Sequence, residues 1–346
     1  MDRFKVIIVL VSILAVVASG VVLKAAKGVI LPFVIAWLLS YLFGPLLRFT
    51  AKKRIPNFVA ILLVMAIFTG FCYLGVLFIN TRIIAFAQAS PRYYDQLINL
   101  AKSFTTSVSL PPDFWSQINW GERIGAYLLS LSGSLVSLLT NVVLVLIFLF
   151  FLLSGAPYFK YKIRKAFSEE NARRIGTITE TISIQISSYL TMQFFISLVT
   201  GVLVWLALTI TGVDFAITWG VFAFILNFIP TIGSMVASIP PILLALVQFY
   251  PDVGPAVLTT ILLFSIQQIM GNIVSPKIMG DELNLSPTVI LLSLLFWGWL
   301  WGVVGALLSV PIVSAMKIVC ENVSSLHVLS VMMGSGKSYR KEFTNS

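Results

Sequence analysis

Charge is what this sequence has least of. Asp, Glu, Lys and Arg together make up 10% of its 346 residues, against 58% hydrophobic, and the mean hydropathy is +0.99. Soluble domains carry about 25% charge. Too few polar groups remain to cover a water-facing surface, which excludes a soluble globule and leaves a polytopic membrane protein. Acidic residues are scarcer still, 13 against 23 basic. Asp214, Asp252, Asp281 and Glu282 fall in loops or at the ends of apolar runs, and no carboxylate falls mid-run. Intramembrane carboxylates are the usual relays for protons and cations, so an obvious proton wire is missing.

The single histidine, His327, lies beyond the last apolar run, and the two cysteines are Cys72 and Cys320. This inventory excludes a disulfide framework and a zinc site of the HExxH kind. It also argues against a Ser–His hydrolase, whose base must reach its nucleophile. No enzymatic activity, catalytic residue, metal or cofactor is expected. GSGKS at 334–338 looks like the tail of a phosphate-binding loop, but Val331 stands where the full pattern needs glycine. The net charge of +10 lies in short loops, where orientation in the bilayer accounts for it. Nucleic acid is therefore not an expected partner.

Runs of about 20 apolar residues cross a bilayer as helices. They fall at Val6–Leu23, Gly28–Leu47, Phe58–Asn80, Leu135–Leu153, Leu190–Thr211 and Ala256–Val274, with longer interrupted runs at Ala216–Phe249 and Ser286–Val319. The expectation is an all-α polytopic membrane fold of about eight transmembrane elements, two of them broken or re-entrant hairpins. Val6–Leu23 is too long for a signal-peptide core of about 7–15 residues and reads as the first span. Residues 1–80 form N-terminal transmembrane helices. Residues 81–132 form an external helical segment, with Ser90 as N-cap and Pro91 at the first helical position, interrupted at LPPDFW.

One more helix follows at 133–153. At 154–188 a cytoplasmic amphipathic linker starts after Ser168 with Glu169 and Glu170, and carries an isoleucine stripe at 175, 178, 182 and 186 along the membrane surface. Residues 189–319 form a transport region, and 320–346 a cytoplasmic tail. With both termini inside, sixteen basic residues are cytoplasmic and six external, Lys277 being undecided. The positive-inside rule favours that orientation.

Proline and glycine concentrate where they are least welcome. LNFIPTIGSMVASIPP breaks the first interrupted run around Pro230 and Gly233 and ends it at Pro240 and Pro241. Gly298, Gly302 and Gly305 punctuate the second, with Pro311 near its end. Irregular backbone at membrane depth is tolerated where protein buries it or where it lines a cavity, and paired broken helices often form a transporter's substrate site. The plainer alternative is a kink with glycines for close packing, since Gly298-x-x-x-Gly302 fits that motif. Between the breaks, IQQIMGNIVSPK places Gln268, Asn272 and Ser275 on one helix face. Buried amides need partners, either another helix or a solute. The candidate solute site is Asn227, Pro230, Thr231, Gly233 and Ser234 opposite Gln268 and Asn272. Pro240, Pro241, Gly298, Gly302, Gly305 and Pro311 are hinge or packing positions.

DFAITWGVFAFILNFIPTIGSMVASIPP, IQQIMGNIVSPKIMG and LNLSPTVILLSLLFWGWLWGVVGALLSVPIVSAMK, in that order, resemble the autoinducer-2 exporter family of bacterial permeases. GVILPFVIAWLLSYLFGPLLR is a weaker N-terminal match. The resemblance implies an eight-span inner-membrane permease assembled as a homo-oligomer, with a pentamer as the candidate form, in contact with the lipid bilayer and a small polar solute. Members export autoinducer-2, a small polyhydroxylated signal; others resemble sodium/proton antiporters. A membrane scaffold that docks partners through 81–132 is the non-transport alternative.

Overall fold

The computed structural model describes residues 18–108, 120–230, 232–279 and 284–336, with isolated positions at 11, 14 and 15. The start of the first expected span, the LPPDFW interruption, Thr231, Asp281 and the C-terminal tail from Lys337 lie outside these residues. Every extended element among them is helical; the sole β contact is an isolated bridge between Leu285 and Gly334.

In chain order the helices are α1 (Ala18–Ala25), α2 (Lys27–Leu42), α3 (Gly44–Lys52), α4 (Asn57–Val108), α5 (Trp120–Ala166), α6 (Glu169–Thr211), α7 (Ala216–Leu226), α8 (Ile232–Gln248) and α9 (Gly254–Gln268). A π-helical turn (Ile269–Val274) leads to α10 (Ser275–Met279), followed by α11 (Pro287–Trp301), α12 (Val303–Asn322) and α13 (His327–Met333). Five stretches are long and apolar enough to cross a membrane: Asn57–Phe86, Asn141–Ala166, Glu169–Thr211, Gly254–Ile278 and Val303–Asn322. Counting α1 and α2, bent by 87° at their junction, as one span makes six.

Two boundaries and one helix face differ from the sequence expectation. The second apolar run stops at Leu42, because Gly44-Pro45 opens a new helix, α3, with the proline in its first turn. α4 continues through Ser90 and Pro91, so Ser90 is not an N-cap and one helix runs from the apolar run into the expected external segment. Proline's fixed φ is compatible with a helix, so α4 runs on through it at the cost of one backbone hydrogen bond. α6 begins at Glu169 as expected, with both glutamates in its first turn, but its isoleucine stripe does not lie on lipid. Ile182 and Ile186 pack with Leu38, Ala315 and Ile318, and Ile178 joins them. An apolar stripe is buried by whichever apolar surface reaches it, and here two other helices do.

Contacts divide the chain into two compact units. One comprises residues 1–67, 140–190 and 281–346; the other comprises 68–139 and 191–280. The first is built on the Leu38–Ile186–Ile318 core and on a second core of Leu300, Trp301 and Ile312. The Trp301 indole N–H donates to the Leu23 carbonyl at 3.4 Å, and the Lys24 ammonium stands 4.4 Å from the Trp299 ring centroid. Each unit holds one of the two interrupted runs.

Candidate functional site

In the second unit the interrupted run is a pair of short apolar helices, α7 and α8, with residues 227–231 between them. Its ends are brought together: the Gln248 amide donates to the Gly212 carbonyl at 2.8 Å, and its oxygen accepts from the Asp214 backbone N–H at 2.9 Å. The end of α8 thus lies beside the start of α7. At the break, a Cβ added to Gly233 would collide with the Leu226 carbonyl, so the chain turns back more tightly than any side chain permits. Pro240 and Pro241 lie inside α8 and do not end the pair.

The polar groups at this break find partners that the sequence reading did not name. The Asn227 side-chain amide donates to the Ser197 hydroxyl at 3.1 Å, and the Asn227 carbonyl accepts from the Gln193 amide at 2.6 Å. Gln193 also reaches Ser197, at 3.4 Å. Ser197 is fully buried and Gln193 nearly so. Both lie on α6, four residues apart, so one helix face presents them to the break. That spacing of polar residues within Leu190–Thr211 was the available signal. Buried uncharged groups left unpaired in an apolar medium would cost roughly 2–7 kcal/mol each, and this triad removes that cost. Ser234 is half-buried, and its carbonyl accepts from the Ser238 hydroxyl at 3.0 Å.

Gln268 and Asn272 are held differently. The Asn272 amide donates to the Gln268 side-chain oxygen, and both residues are exposed. No hydrogen bond joins either of them to Asn227 among the described residues. The backbone from Ile269 to Val274 is π-helical, a form that appears mostly as single turns inside α-helices, frequently at functional sites. Its five-residue spacing displaces Ser275 from the line of Gln268 and Asn272 that a regular helix would give.

In the first unit the other interrupted run folds back on itself at Gly302. Ser286 opens α11, its hydroxyl accepting from the Val289 N–H at 3.4 Å. The Ser293 hydroxyl donates to the Ser309 carbonyl at 3.0 Å, and a Cβ on Gly298 would stand 3.7 Å from that of Ala306. These pairs have nearly constant index sums, the mark of antiparallel helices. Gly302 has φ +70, a region that L side chains rarely adopt. A Cβ on Gly305 would collide with the Trp297 carbonyl. Pro311 is fully buried within α12.

One charge is placed unexpectedly. Lys317, read as part of the cytoplasmic C-terminal charge, is 5% exposed and pairs with Glu321 at 2.8 Å along α12. Beside it Ser314 is buried, and its hydroxyl has no hydrogen-bond partner. No group of three or more His, Cys, Asp or Glu side chains arranged to hold a metal occurs among the described residues.

Comparison with known proteins fits a chain of apolar, membrane-length helices. The family model of AI-2E family transporters matches residues 7–325. A chain from Borreliella burgdorferi, named as a proposed transport protein, is 33% identical over 91% of this sequence and 87% of its own. One so named from Haemophilus influenzae is 30% identical, covering 96% and 97%. The AI-2 transport protein TqsA of Escherichia coli K12 is 29% identical, covering 94% and 95%. The chain belongs to the AI-2E family of membrane transporters.

Proposed function

We propose that this protein is a secondary transporter or permease that exports a small, uncharged, polyhydroxylated solute, such as an autoinducer-2-like signal, across the bacterial inner membrane. The observation that carries the reading is the break at Asn227, where a serine and two amides meet at the end of short apolar helices with no carboxylate among their partners. Such groups recognise hydroxyls by exchange of hydrogen bonds and leave charged solutes unpaired. Asn227 and Ser234, on either side of the break marked by Pro230 and Gly233, form the solute-facing end; Gln268 and Asn272 form an exposed polar step along the path. The two helix pairs serve as re-entrant hairpins in an eight-element fold, with both termini cytoplasmic and the protomers assembled as a homo-oligomer. TqsA's name supports the solute class by relationship.

The test is solute flux in proteoliposomes. Outward movement of a labelled polyol-like solute, independent of sodium, is expected. A sodium-dependent pH change would instead establish a sodium/proton antiporter. The Lys317–Glu321 pair favours that second reading, because it places a buried cation with its carboxylate partner in the last turns of a helix long and apolar enough to span. Absence of both activities would leave a membrane scaffold.

A further inference from the structure

α3 carries a face unlike the apolar helices around it. Pro45, Arg48, Phe49 and Lys52 recur at intervals of three and four and so share one side of the helix. They line a surface groove of about 380 Å³. All four are exposed, Phe49 to 54%. Lys53 and Arg54 follow directly, also exposed, and the Lys53 ammonium stands 4.7 Å from the centroid of the Phe49 ring.

Among the described residues these cations have no anion of their own. No Asp or Glu occurs between Arg3 and Tyr94, and the two ion pairs among the described residues, Arg92–Asp214 and Lys317–Glu321, lie elsewhere. A loop that only orients the chain in the bilayer needs basic residues in any arrangement. Here they are ordered on a helix, alternating with a ring and a proline. The apolar stretch beginning at Asn57 follows within a few residues, with Phe58 exposed to 61%. An amphipathic helix of this kind settles at headgroup depth, its ring in the acyl boundary and its cations at the phosphates.

We infer that the exposed face of α3 is a binding seat for an acidic phospholipid of the membrane that the protein spans. Arg48 and Lys52 hold the headgroup phosphate across the groove, Lys53 and Arg54 supply further attraction, and Phe49 with Pro45 meets the upper acyl chains. Each basic residue near an anionic surface contributes enough that losing two of them weakens binding by about tenfold or more. This seat is independent of the transported solute.

The full-length protein in a neutral detergent is titrated with phosphatidylglycerol or with phosphatidylcholine of the same acyl chains, and retained lipid is counted by native mass spectrometry. Wild type should retain phosphatidylglycerol in preference to phosphatidylcholine. Arg48→Gln/Lys52→Gln should lose about tenfold in affinity for phosphatidylglycerol alone, while Arg48→Lys/Lys52→Arg should keep it. If the double glutamine variant cannot be purified, Arg48→Gln and Lys53→Gln singly should each weaken retention by roughly threefold. Unchanged retention in the glutamine variants would overturn the seat. So would displacement of the lipid by millimolar inorganic phosphate, which would mark a site for soluble anions.

Discussion

The Tyr93 hydroxyl donates to the Asp214 carboxylate at 2.5 Å, joining α4 to the start of the α7–α8 pair across 121 residues of chain. Phe86, Tyr93 and Phe215 surround the bond with rings, and the Gln96 amide adds a contact to the Gln248 carbonyl at 3.4 Å. Arg92 lies 3.9 Å from the same carboxylate, but its side chain is 65% exposed, so solvent screens that pair. Tyr93→Phe should therefore cost about 1–2 kcal/mol of thermal stability, and Arg92→Gln much less. Burial first, and the neighbouring carboxylate second, push the Tyr93 hydroxyl up from its ordinary value. A raised value means that the contribution is full below the usual phenol range near 10 and lost only above it. The destabilisation by Tyr93→Phe should consequently be constant between about pH 6 and 9; a loss that fades within that window would show that Tyr93 is not the donor.

Gly298 and Gly305 of the second helix pair differ in kind. Gly305→Ala drives a methyl into the Trp297 carbonyl, whereas Gly298→Ala makes an ordinary contact with Ala306. Gly305→Ala should lower the melting temperature by several degrees and reduce flux. Gly298→Ala should leave both near wild type. Equal effects in a paired thermal-shift and flux measurement would mean that the helices do not approach as closely as Gly305 implies.

Asn227 carries both a packing and a solute-facing role, whereas Gln268 tests the path alone. Asn227→Leu removes the amide that satisfies Ser197 in the interior and should cost about 1–3 kcal/mol, visible as reduced abundance in the membrane. Gln268→Leu removes an exposed amide whose partner can still meet water or solute. It should assemble normally and lose flux. Normal transport in a well-assembled Gln268→Leu variant would take that step out of the path.

The Lys317–Glu321 pair is asymmetric, since the ammonium is buried and the carboxylate side chain is 40% exposed. Glu321→Gln strands a buried positive charge and should destabilise strongly. Lys317→Met leaves a carboxylate that water can reach and should cost little. The double variant should recover most of the loss, as read by a thermal-unfolding double-mutant cycle. Additive single effects would mean that the two groups do not interact.

Orientation is tested by cysteine labelling from outside intact cells. Replacement of Lys102 should be labelled and of Lys162 spared; the reverse pattern would invert the topology.

Class and family were legible in the sequence because they rest on quantities that survive without coordinates. Too little charge for a water-facing surface dictates a membrane solvent, and the spaced motifs around NFIPTIGS and LFWGWLWG carry the family. The break at 227–231 was readable too, since Asn227, Pro230 and Gly233 crowd helix-weakening residues into one short stretch. Helix ends were less legible: Ser90-Pro91 has the chemistry of a start, yet the helix runs through it, proline's fixed φ being compatible with a helix. Partners were not legible at all. Asn227 finds Gln193 and Ser197 rather than Gln268, and Ile186 faces Leu38 and Ile318 rather than lipid. A polar side chain's need for a hydrogen bond is local, whereas which group supplies it depends on how distant helices cross. Lys317 shows the same division: its charge is in the sequence, but its burial is decided only when the chain folds.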